Sequence, residues 1–289
     1  MAASVPKHSF FLPEEYSRHA RQQHHKDFSL VARRYQLISQ LPFPTQALDI
    51  GCGTGEVAKL LSRFPNVHQV LAFDSAEDMV DFARERNADD RIEYVTAQFD
   101  DLEEKLGVDR LVGRFHLAVS NEVLHWLPDI EGAAAKIFSW LKPGGWFVGH
   151  TLAAPPLTII QALKGLSEQG YDTEPVSEFL KASAPRAPWL LEKDPIPTAK
   201  ALFEKAGFVC SELSVEGNNF TFKKEEALAY MRVFKPFYRL YEGATEEERE
   251  KLLKAIGENY VSLLAGEGDD HTVTTVDKAL VFALQKPHH

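Results

Sequence analysis

The feature that most constrains this chain is a glycine-rich turn between an apolar run and the start of a helix. Residues 47–56 read ALDIGCGTGE, with glycine at positions 51, 53 and 55. Gly51, Gly53 and Gly55 give the backbone conformational freedom and let a ligand approach it without meeting a side chain. The exposed N–H groups at the start of the next helix attract an anionic group. The turn therefore predicts a binding site for a small anion or a cofactor.

Strand and helix patterns alternate around this turn. Short apolar runs of β type are separated by stretches with helical spacing, such as residues 56–63 and 76–87. The β-type runs are residues 46–50, 67–74, 92–95, 115–121 and 145–151. This alternation is typical of parallel βαβ units, which bind ligands at the carboxyl ends of their strands. The glycine-rich turn stands at one such end.

The segments that flank this region have a different composition. An apolar repeat predicts helical structure over residues 14–41, and an aromatic stripe predicts a helix over residues 225–241. Prolines are frequent in residues 152–197, which predicts an irregular cover over the sheet. The runs VCSELSV and NFTF predict two short strands, and KALVFALQK predicts a final strand at residues 278–286.

We therefore expect three parts along the chain. Residues 1–45 form an N-terminal helical lid, and residues 46–151 form a cofactor-binding core. Residues 152–289 form a substrate cap and also supply C-terminal strands that complete the sheet. Substrate specificity often resides in an irregular segment of this kind, because loops vary while the scaffold beneath them stays rigid.

Composition narrows the classes of partner and site. The formal net charge of −10 over 289 residues argues against a nucleic-acid partner. Two cysteines are too few for a disulfide scaffold or a zinc site, so we expect no metal. No apolar stretch reaches the length of a membrane span, and the N-terminus lacks the apolar centre of a signal peptide. We expect a soluble, cytoplasmic protein that acts on a small molecule.

An acid closes the second β-type run. Asp74 stands where a carboxylate accepts hydrogen bonds from both hydroxyls of a ribose. A dinucleotide-binding turn would carry its third glycine at position 56, where this chain has Glu56. That carboxylate would repel a pyrophosphate, which opposes a nicotinamide dehydrogenase. A purely structural turn with a solvated Asp74 is the other alternative.

At these residues the sequence resembles the class I S-adenosylmethionine-dependent methyltransferases. The resemblance covers residues 45–152 and is carried by ALDIGCGTGE, VLAFDSAEDM, YVTAQFDDL, FHLAVSNEVLHWLPD and LKPGGWFV. It implies an α/β, Rossmann-like class I methyltransferase fold. In that fold a mostly parallel seven-stranded sheet carries helices on both faces and a helical cap. It also implies S-adenosylmethionine as the cofactor.

The same resemblance implies roles for individual residues. The three glycines would contact the methionyl end of the cofactor, and Asp49 would orient its amino group. Asp74 would hold the ribose, and Met79 would pack against adenine. Ser75 and Asn121 would line the same pocket.

One position departs from the family pattern. The loop after the third strand commonly offers an aspartate to the adenine amino group, whereas this chain has Gln98 followed by Phe99. We expect Gln98 to accept that hydrogen bond through its carbonyl oxygen and Phe99 to stack on or wedge the ring. Met79 lies at helical spacing with Phe82 and fits a core position equally well.

Other features narrow the methyl acceptor. The N/D-P-P-Y stretch used for adenine or glutamine N-methylation is replaced by SNEVLHW after the fourth strand. Cytosine methylation needs a cysteine nucleophile there, and arsenic methylation needs a cluster of thiols. The two cysteines, Cys52 and Cys210, meet neither requirement. What remains is O- or N-methylation of a small molecule.

The chain also resembles the insect-type juvenile hormone acid (farnesoic acid) O-methyltransferases. The shared features are the N-terminal run EEYSRHARQQHHKDF, LHW at residues 124–126, LKPGG, and a helical section before the last strand. This resemblance implies that Gln23 and Trp126 hold the substrate carboxylate, with Gln22 as an equal claimant. Amide and indole N–H groups would orient the carboxylate and leave one oxygen nucleophilic. No general base is needed, because the acid is ionised at neutral pH.

Several alternatives stay open at this point. Trp126 fits a packing residue as well as a clamp, and His125 fits a core histidine as well as a substrate contact. Our first hypothesis is O-methylation of an apolar, farnesoic-type acid. The second is N- or hydroxyl O-methylation of a small molecule, and the third is a cofactor-binding pseudoenzyme with a regulatory role.

Overall fold

The computed structural model describes residues 12–155, 157–171, 186–233, 245–264 and 272–288. Two compact units divide the chain. One consists of Gln23–Ala154, Pro185–Glu216 and Lys278–His289, and the other consists of Met1–Gln22, Pro155–Ala184 and Gly217–Asp277. The chain therefore passes between the units several times. The lid, core and cap expected from the sequence stay a prediction.

Seven strands of the described residues form one sheet in the order β3-β2-β1-β4-β5-β7-β6. They are β1 (Thr45–Ile50), β2 (Val67–Asp74), β3 (Ile92–Thr96), β4 (Phe115–Asn121), β5 (Leu141–Leu152), β6 (Val209–Lys223) and β7 (Thr272–Gln285). The first five strands pair in parallel, and β7 is antiparallel to β5. The predicted mostly parallel seven-stranded sheet is confirmed. Its order reverses at β1, so the ends of β1 and β4 border a crevice.

Helices connect most neighbouring strands. In chain order the described α-helices are α1 (Pro13–His19), α2 (Arg21–Arg33), α3 (Tyr35–Ser39), α4 (Glu56–Ser62), α5 (Glu77–Arg86), α6 (Leu102–Leu106), α7 (Ile130–Trp140), α8 (Leu157–Glu168), α9 (Ile196–Lys205), α10 (Lys224–Tyr230) and α11 (Glu246–Leu264). The helices α4 to α7 follow strands β1 to β4 in turn, as the alternating pattern predicts. No helix of the described residues has the length and apolar character that a membrane crossing requires.

Apolar side chains of the unit that contains β1 to β5 form two clusters, one on each face of the sheet. Leu48 and Ile50 belong to one cluster, and Ala47 belongs to the other. This division follows the two-residue period of a strand, which sends successive side chains to opposite faces. In the other unit a separate cluster packs α8, α10 and α11 together, with Leu166 and Ile256 fully buried.

The helical structure predicted over residues 14–41 is present, but it is divided into α1, α2 and α3. Ala20 leaves the helical conformation at ψ 42° and is completely buried. Arg34 interrupts the run again, and its guanidinium donates to Glu212 Oε2 of β6 at 2.6 Å. Tertiary contacts of this kind override a helical repeat that looks continuous in the sequence.

Three further boundaries differ from the sequence prediction. The two short strands expected near VCSELSV and NFTF are one strand, β6, and β7 begins at Thr272 rather than at residue 278. The helix expected over residues 225–241 ends at Tyr230 and is followed by a 3₁₀ turn, Met231–Val233. Residues 234–241 lie outside the described residues. The ends of long strands are hard to predict from sequence because the strands that pair with them decide their length.

Candidate functional site

The glycine-rich turn between β1 and α4 has three left-handed residues. The φ angles of Gly51, Gly53 and Gly55 are 71°, 50° and 90°. A side chain at Gly51 would collide with Val123, and one at Gly55 would come within 2.6 Å of Tyr94 Oη. A side chain at Gly53 would meet no atom within 4 Å. Gly51 and Gly55 are therefore required by packing, whereas Gly53 leaves open space above the backbone.

The carboxylate of Asp74 is held beside this turn. Its Oδ2 accepts from the Gly53 amide at 3.0 Å, and its Oδ1 accepts from the Ala76 amide at 2.9 Å. Burial raises the pKa of Asp74 above its ordinary value. Asp74, which is predicted to hold a ribose, therefore lies next to Gly53, the glycine of the turn at which a side chain would meet no other atom.

Several buried polar atoms at the ends of β1 and β4 make no hydrogen bond within the described parts of the chain. They are Asp49 Oδ2, Ser120 Oγ, and both the oxygen and the nitrogen of the Asn121 side-chain amide. Ile50 pairs with Ser120 in the parallel ladder, so these atoms belong to the same edge of the sheet. Most buried polar groups in proteins are hydrogen-bonded, so these atoms fit a site for a polar ligand.

The same edge is rich in negative charge. Burial raises the pKa of Asp49 well above its ordinary value, and the carboxylates of Asp27, Asp74 and Glu56 raise it further. Closely spaced carboxylates favour a cation among them, because a positive charge stabilises their ionised forms. The donor set therefore fits a ligand that carries an ammonium or sulfonium group together with a ribose.

Comparisons with known proteins agree with this geometry. Residues 48–149 match the sequence profile of the family described as Methyltransferase domain. Over 120 residues the chain is 38% identical to the trans-aconitate 2-methyltransferase of Deinococcus radiodurans, covering 40% of this chain and 42% of that protein. Over 99 residues it is 32% identical to the malonyl-[acyl-carrier protein] O-methyltransferase of Acetivibrio thermocellus, covering 34% and 32%. The alignments thus span well under half the length of these curated relatives.

A solved structure shares the fold. Haemonchus contortus phosphoethanolamine N-methyltransferase 2, in complex with phosphomonomethylethanolamine and S-adenosylhomocysteine, has a TM-score of 0.55 and 18% sequence identity. The comparison covers 91% of this chain and 53% of that one.

Residues 48–149 of this chain form a methyltransferase domain. The predicted class I methyltransferase fold is confirmed. For that domain the family match bears out the methyltransferase prediction and S-adenosylmethionine as its cofactor. When bound, S-adenosylmethionine supplies a methyl group on a positively charged sulfur, which matches the acid-rich edge. Asp49, Asp74, Asn121 and the Gly53 backbone are the residues that would hold it.

The residues predicted to lie near adenine differ in how deeply the structure buries them. Ser75 and Gln98 are half-buried, and Met79 is buried at 3% exposure. The Phe99 ring packs in the core, 5.1 Å from the Trp140 ring and 6.2 Å from the Phe73 ring between centroids. Contacts of Met79, Gln98 and Phe99 with adenine stay predictions.

The predicted substrate residues His125 and Trp126 lie on a 3₁₀ turn, Leu124–Trp126, after β4. His125 is 1% exposed, and its Nδ1 accepts from the Leu152 amide at 3.4 Å and lies 2.8 Å from Thr151 Oγ1. Burial lowers the pKa of His125 to about 4. Trp126 is half-buried, with its ring centroid 4.8 Å from that of His125.

A buried charge cluster lies beside this turn and was not predicted from the sequence. We define the charge cluster as Lys26 and Asp27 of α2, Glu122 after β4, and His150 of β5. His150 Nδ1 lies 3.2 Å from Glu122 Oε1, Lys26 Nζ lies 3.8 Å from the same oxygen, and His150 Nε2 lies 3.7 Å from Asp27 Oδ1. The sequence signal that could have found it is His150, a histidine directly after the apolar run WFVG of β5.

The cluster strongly shifts two ionisation equilibria. Burial acts to raise the pKa of Glu122, but the charges of Lys26 and His150 outweigh it and the pKa falls to about 2. Burial acts to lower the pKa of His150, but Asp27 and Glu122 outweigh it and the pKa rises to about 9. At neutral pH Glu122 is therefore ionised and His150 is protonated. Across the described residues, no group of side chains suited to a metal ion was found.

Proposed function

We propose that this protein transfers the methyl group of S-adenosylmethionine to the carboxylate of a small acid. The observation that carries the proposal is the set of unsatisfied buried atoms of Asp49 and Asn121 beside the open space at Gly53. An activated methyl group needs in-line positioning and exclusion of water more than it needs an acid or a base. The neutral, buried His125 fits this requirement, because it takes up no proton at neutral pH.

Two related proteins support a carboxylate as the acceptor. Their names are malonyl-[acyl-carrier protein] O-methyltransferase and trans-aconitate 2-methyltransferase, and both malonyl and trans-aconitate groups carry carboxylates. A carboxylate is ionised at neutral pH and is already a nucleophile. The chain then needs only to bind and orient it.

Gln23 and Trp126 are the residues that we propose orient the carboxylate. Gln23 is half-buried on α2 and precedes Lys26 and Asp27 by three and four residues. Residues at these spacings share one face of a helix. Since Lys26 and Asp27 pair with side chains at the ends of β4 and β5, that face of α2 turns toward the Trp126 turn. Gln23 has this spacing to both Lys26 and Asp27, whereas Gln22 has it only to Lys26, and this favours Gln23.

We further propose that the acid has an apolar, farnesoic-type body. The LHW run supports this through its resemblance to the farnesoic acid O-methyltransferases. The charge balance supports it as well, because the cations Lys26 and His150 are matched by Glu122 and Asp27. The proposed donors Gln23 and Trp126 are neutral, and the positive charges of the cluster are already balanced by its carboxylates. Such a site suits a substrate with one carboxylate better than a substrate with several.

The deciding experiment measures transfer of tritium from methyl-labelled S-adenosylmethionine to a panel of acceptors. The panel contains farnesoic and shorter apolar acids, di- and tricarboxylic acids, a malonyl thioester, amines and phenols. We expect label in the methyl esters of apolar acids. Transfer to amines or phenols alone would replace the acceptor assignment by N- or hydroxyl O-methylation. Cofactor binding without any transfer would instead favour the regulatory pseudoenzyme.

A further inference from the structure

Glu122 has a backbone conformation that is costly for its residue type. Its φ of 56° is the only positive φ at a non-glycine residue among the described parts of the chain. A left-handed glutamate persists only where surrounding contacts hold it, and such residues concentrate at functional sites. Glu122 directly follows Asn121, whose side-chain amide has no hydrogen-bond partner in the part of the chain that the structure describes.

The contacts that hold Glu122 come from two elements. Its backbone amide donates to the His150 carbonyl oxygen at 2.9 Å, and its carboxylate faces His150 and Lys26. Lys26 and Asp27 are each 8% exposed and His150 is 4% exposed. Charges this deeply buried require partners, so separating α2 from the strand ends would break these pairs at a high cost in free energy.

A second pair of charges on the same helix differs in burial. Arg33 binds Glu216 of β6 through two hydrogen bonds of 2.6 and 2.9 Å, but the Arg33 side chain is 47% exposed. Exposed pairs contribute little because water solvates the partners when they separate. The end of α2 near Gln23 is therefore fastened by the buried cluster, and Arg33 offers a matched control on the same helix.

We propose that Glu122 and His150 are positioning residues that fasten the Gln23 turn of α2 to the ends of β4 and β5, and so fix the acceptor-binding half of the site. This inference rests on the proposed function for its consequence on methyl transfer. The fastening itself does not depend on that function. Neither residue touches the reacting atoms in this scheme, since each acts through Lys26 or Asp27.

The proposal predicts a pH dependence of α2. The groups that face His150 are Asp27 and Lys26 from α2, and Glu122 and His125 from the segment after β4. The pKa of His150 is raised to about 9, so its contacts with the two carboxylates weaken when the pH exceeds that value. His125 is already neutral from about pH 4 upward and does not oppose the change.

The test is amide hydrogen exchange of the peptide spanning α2, with protection factors corrected for the intrinsic effect of pH. We expect Glu122→Gln to lower protection of α2 about tenfold or more, with the sheet core unchanged. Lys26→Met should act in the same direction, and wild-type protein should lose α2 protection above pH 9. Arg33→Gln should leave α2 protection within about twofold of wild type. Unchanged α2 protection in Glu122→Gln, or an equal loss over the whole chain, would overturn the proposal.

Enzyme kinetics then separate positioning from mere stability. With an acid that wild-type protein methylates, Glu122→Gln should raise the acceptor KM about tenfold while cofactor affinity stays within about twofold. Reduced α2 protection with an unchanged acceptor KM would refute the positioning role. If wild-type protein methylates no acid, the proposed function fails, and hydrogen exchange still decides whether the cluster fastens α2.

Discussion

At the scale of single residues, Gly53 and Gly113 share a left-handed backbone but differ in location. Their φ angles are 50° and 64°, and a side chain at either would meet no protein atom within 4 Å. Gly53 lies beside the Asp74 carboxylate, whereas Gly113 lies on the loop before β4. Any effect of a substitution on stability should therefore be common to both, and any effect on cofactor binding should be confined to Gly53.

We predict that Gly53→Ala and Gly113→Ala each lower the free energy of unfolding by about 1–2 kcal/mol, because an alanine is strained in the left-handed region. Gly53→Ala alone should weaken binding of S-adenosylmethionine, by about tenfold or more, since its methyl group occupies ligand space. Urea denaturation and calorimetric titration measure the two effects. Equal cofactor affinity in the two variants would remove Gly53 from the site.

At the scale of secondary-structure elements, the 3₁₀ turn Leu124–Trp126 is held in place by its two buried residues. Leu124 and His125 are buried, and His125 is bonded to the end of β5, so the following Trp126 has a defined position. Trp146 within β5 is also half-buried but packs against the cluster on one face of the sheet. The two tryptophans therefore form a matched pair for substitution.

We predict that Trp126→Phe keeps cofactor affinity and raises the acceptor KM or lowers kcat about tenfold, because phenylalanine fills much of the same volume but removes the indole N–H donor. Trp146→Phe should leave both kinetic constants within about twofold of wild type. Steady-state kinetics with the best acid of the panel measure this. Equal activity in Trp126→Phe would return Trp126 to a packing role.

At the scale of the whole molecule, two buried histidines give stability opposite slopes with pH. His125 has a folded pKa of about 4 against an ordinary 6.5, because burial disfavours its charged form. The unfolded chain therefore binds a proton between these values that the folded chain does not, and stability falls as pH decreases from about 6.5 to 4. His150 has a folded pKa of about 9, so the folded chain keeps a proton that the unfolded chain releases. Its contribution is complete below about pH 6.5 and is lost as pH rises through 9.

We therefore predict that these two histidines place maximum stability near pH 6.5. The measurement is urea denaturation at a series of pH values between 4 and about 10. His150→Gln should remove the loss of unfolding free energy between pH 6.5 and 9. The loss of unfolding free energy below pH 6.5 should stay as in the wild-type protein. A stability that rises from pH 6.5 to 9 in wild-type protein would contradict the assignment of a charged His150.

The aromatic core around β5 contributes strongly to the stability of the unit that contains it. Phe147 is completely buried, with ring centroids of Phe282, Phe208 and Phe203 at 4.8, 5.9 and 6.4 Å. We predict that Phe147→Ala costs about 3–5 kcal/mol of unfolding free energy through lost burial and a cavity. Phe43→Ala should cost far less, because Phe43 is 73% exposed. A loss below about 1 kcal/mol in Phe147→Ala would show that the cavity collapses.

Features encoded by neighbouring residues were predictable from the sequence alone. The turn after β1 requires left-handed residues, and glycine meets that requirement at little steric cost, so ALDIGCGTGE predicted the position and conformation of this turn. The strands β1 to β4 were predictable for a similar reason, since their apolar runs and the helices between them have local periods. Asp74 was predictable because it ends β2 beside that turn.

Features that depend on distant residues were decided only by the tertiary structure. The breaks at Ala20 and Arg34 follow from burial and from contact with β6, not from the local helical repeat. The charge cluster joins α2, the end of β4 and β5, and its ionisation depends on burial that no local pattern records. Helical and strand periods act over a few residues, whereas desolvation and ion pairing act between segments that only folding brings together.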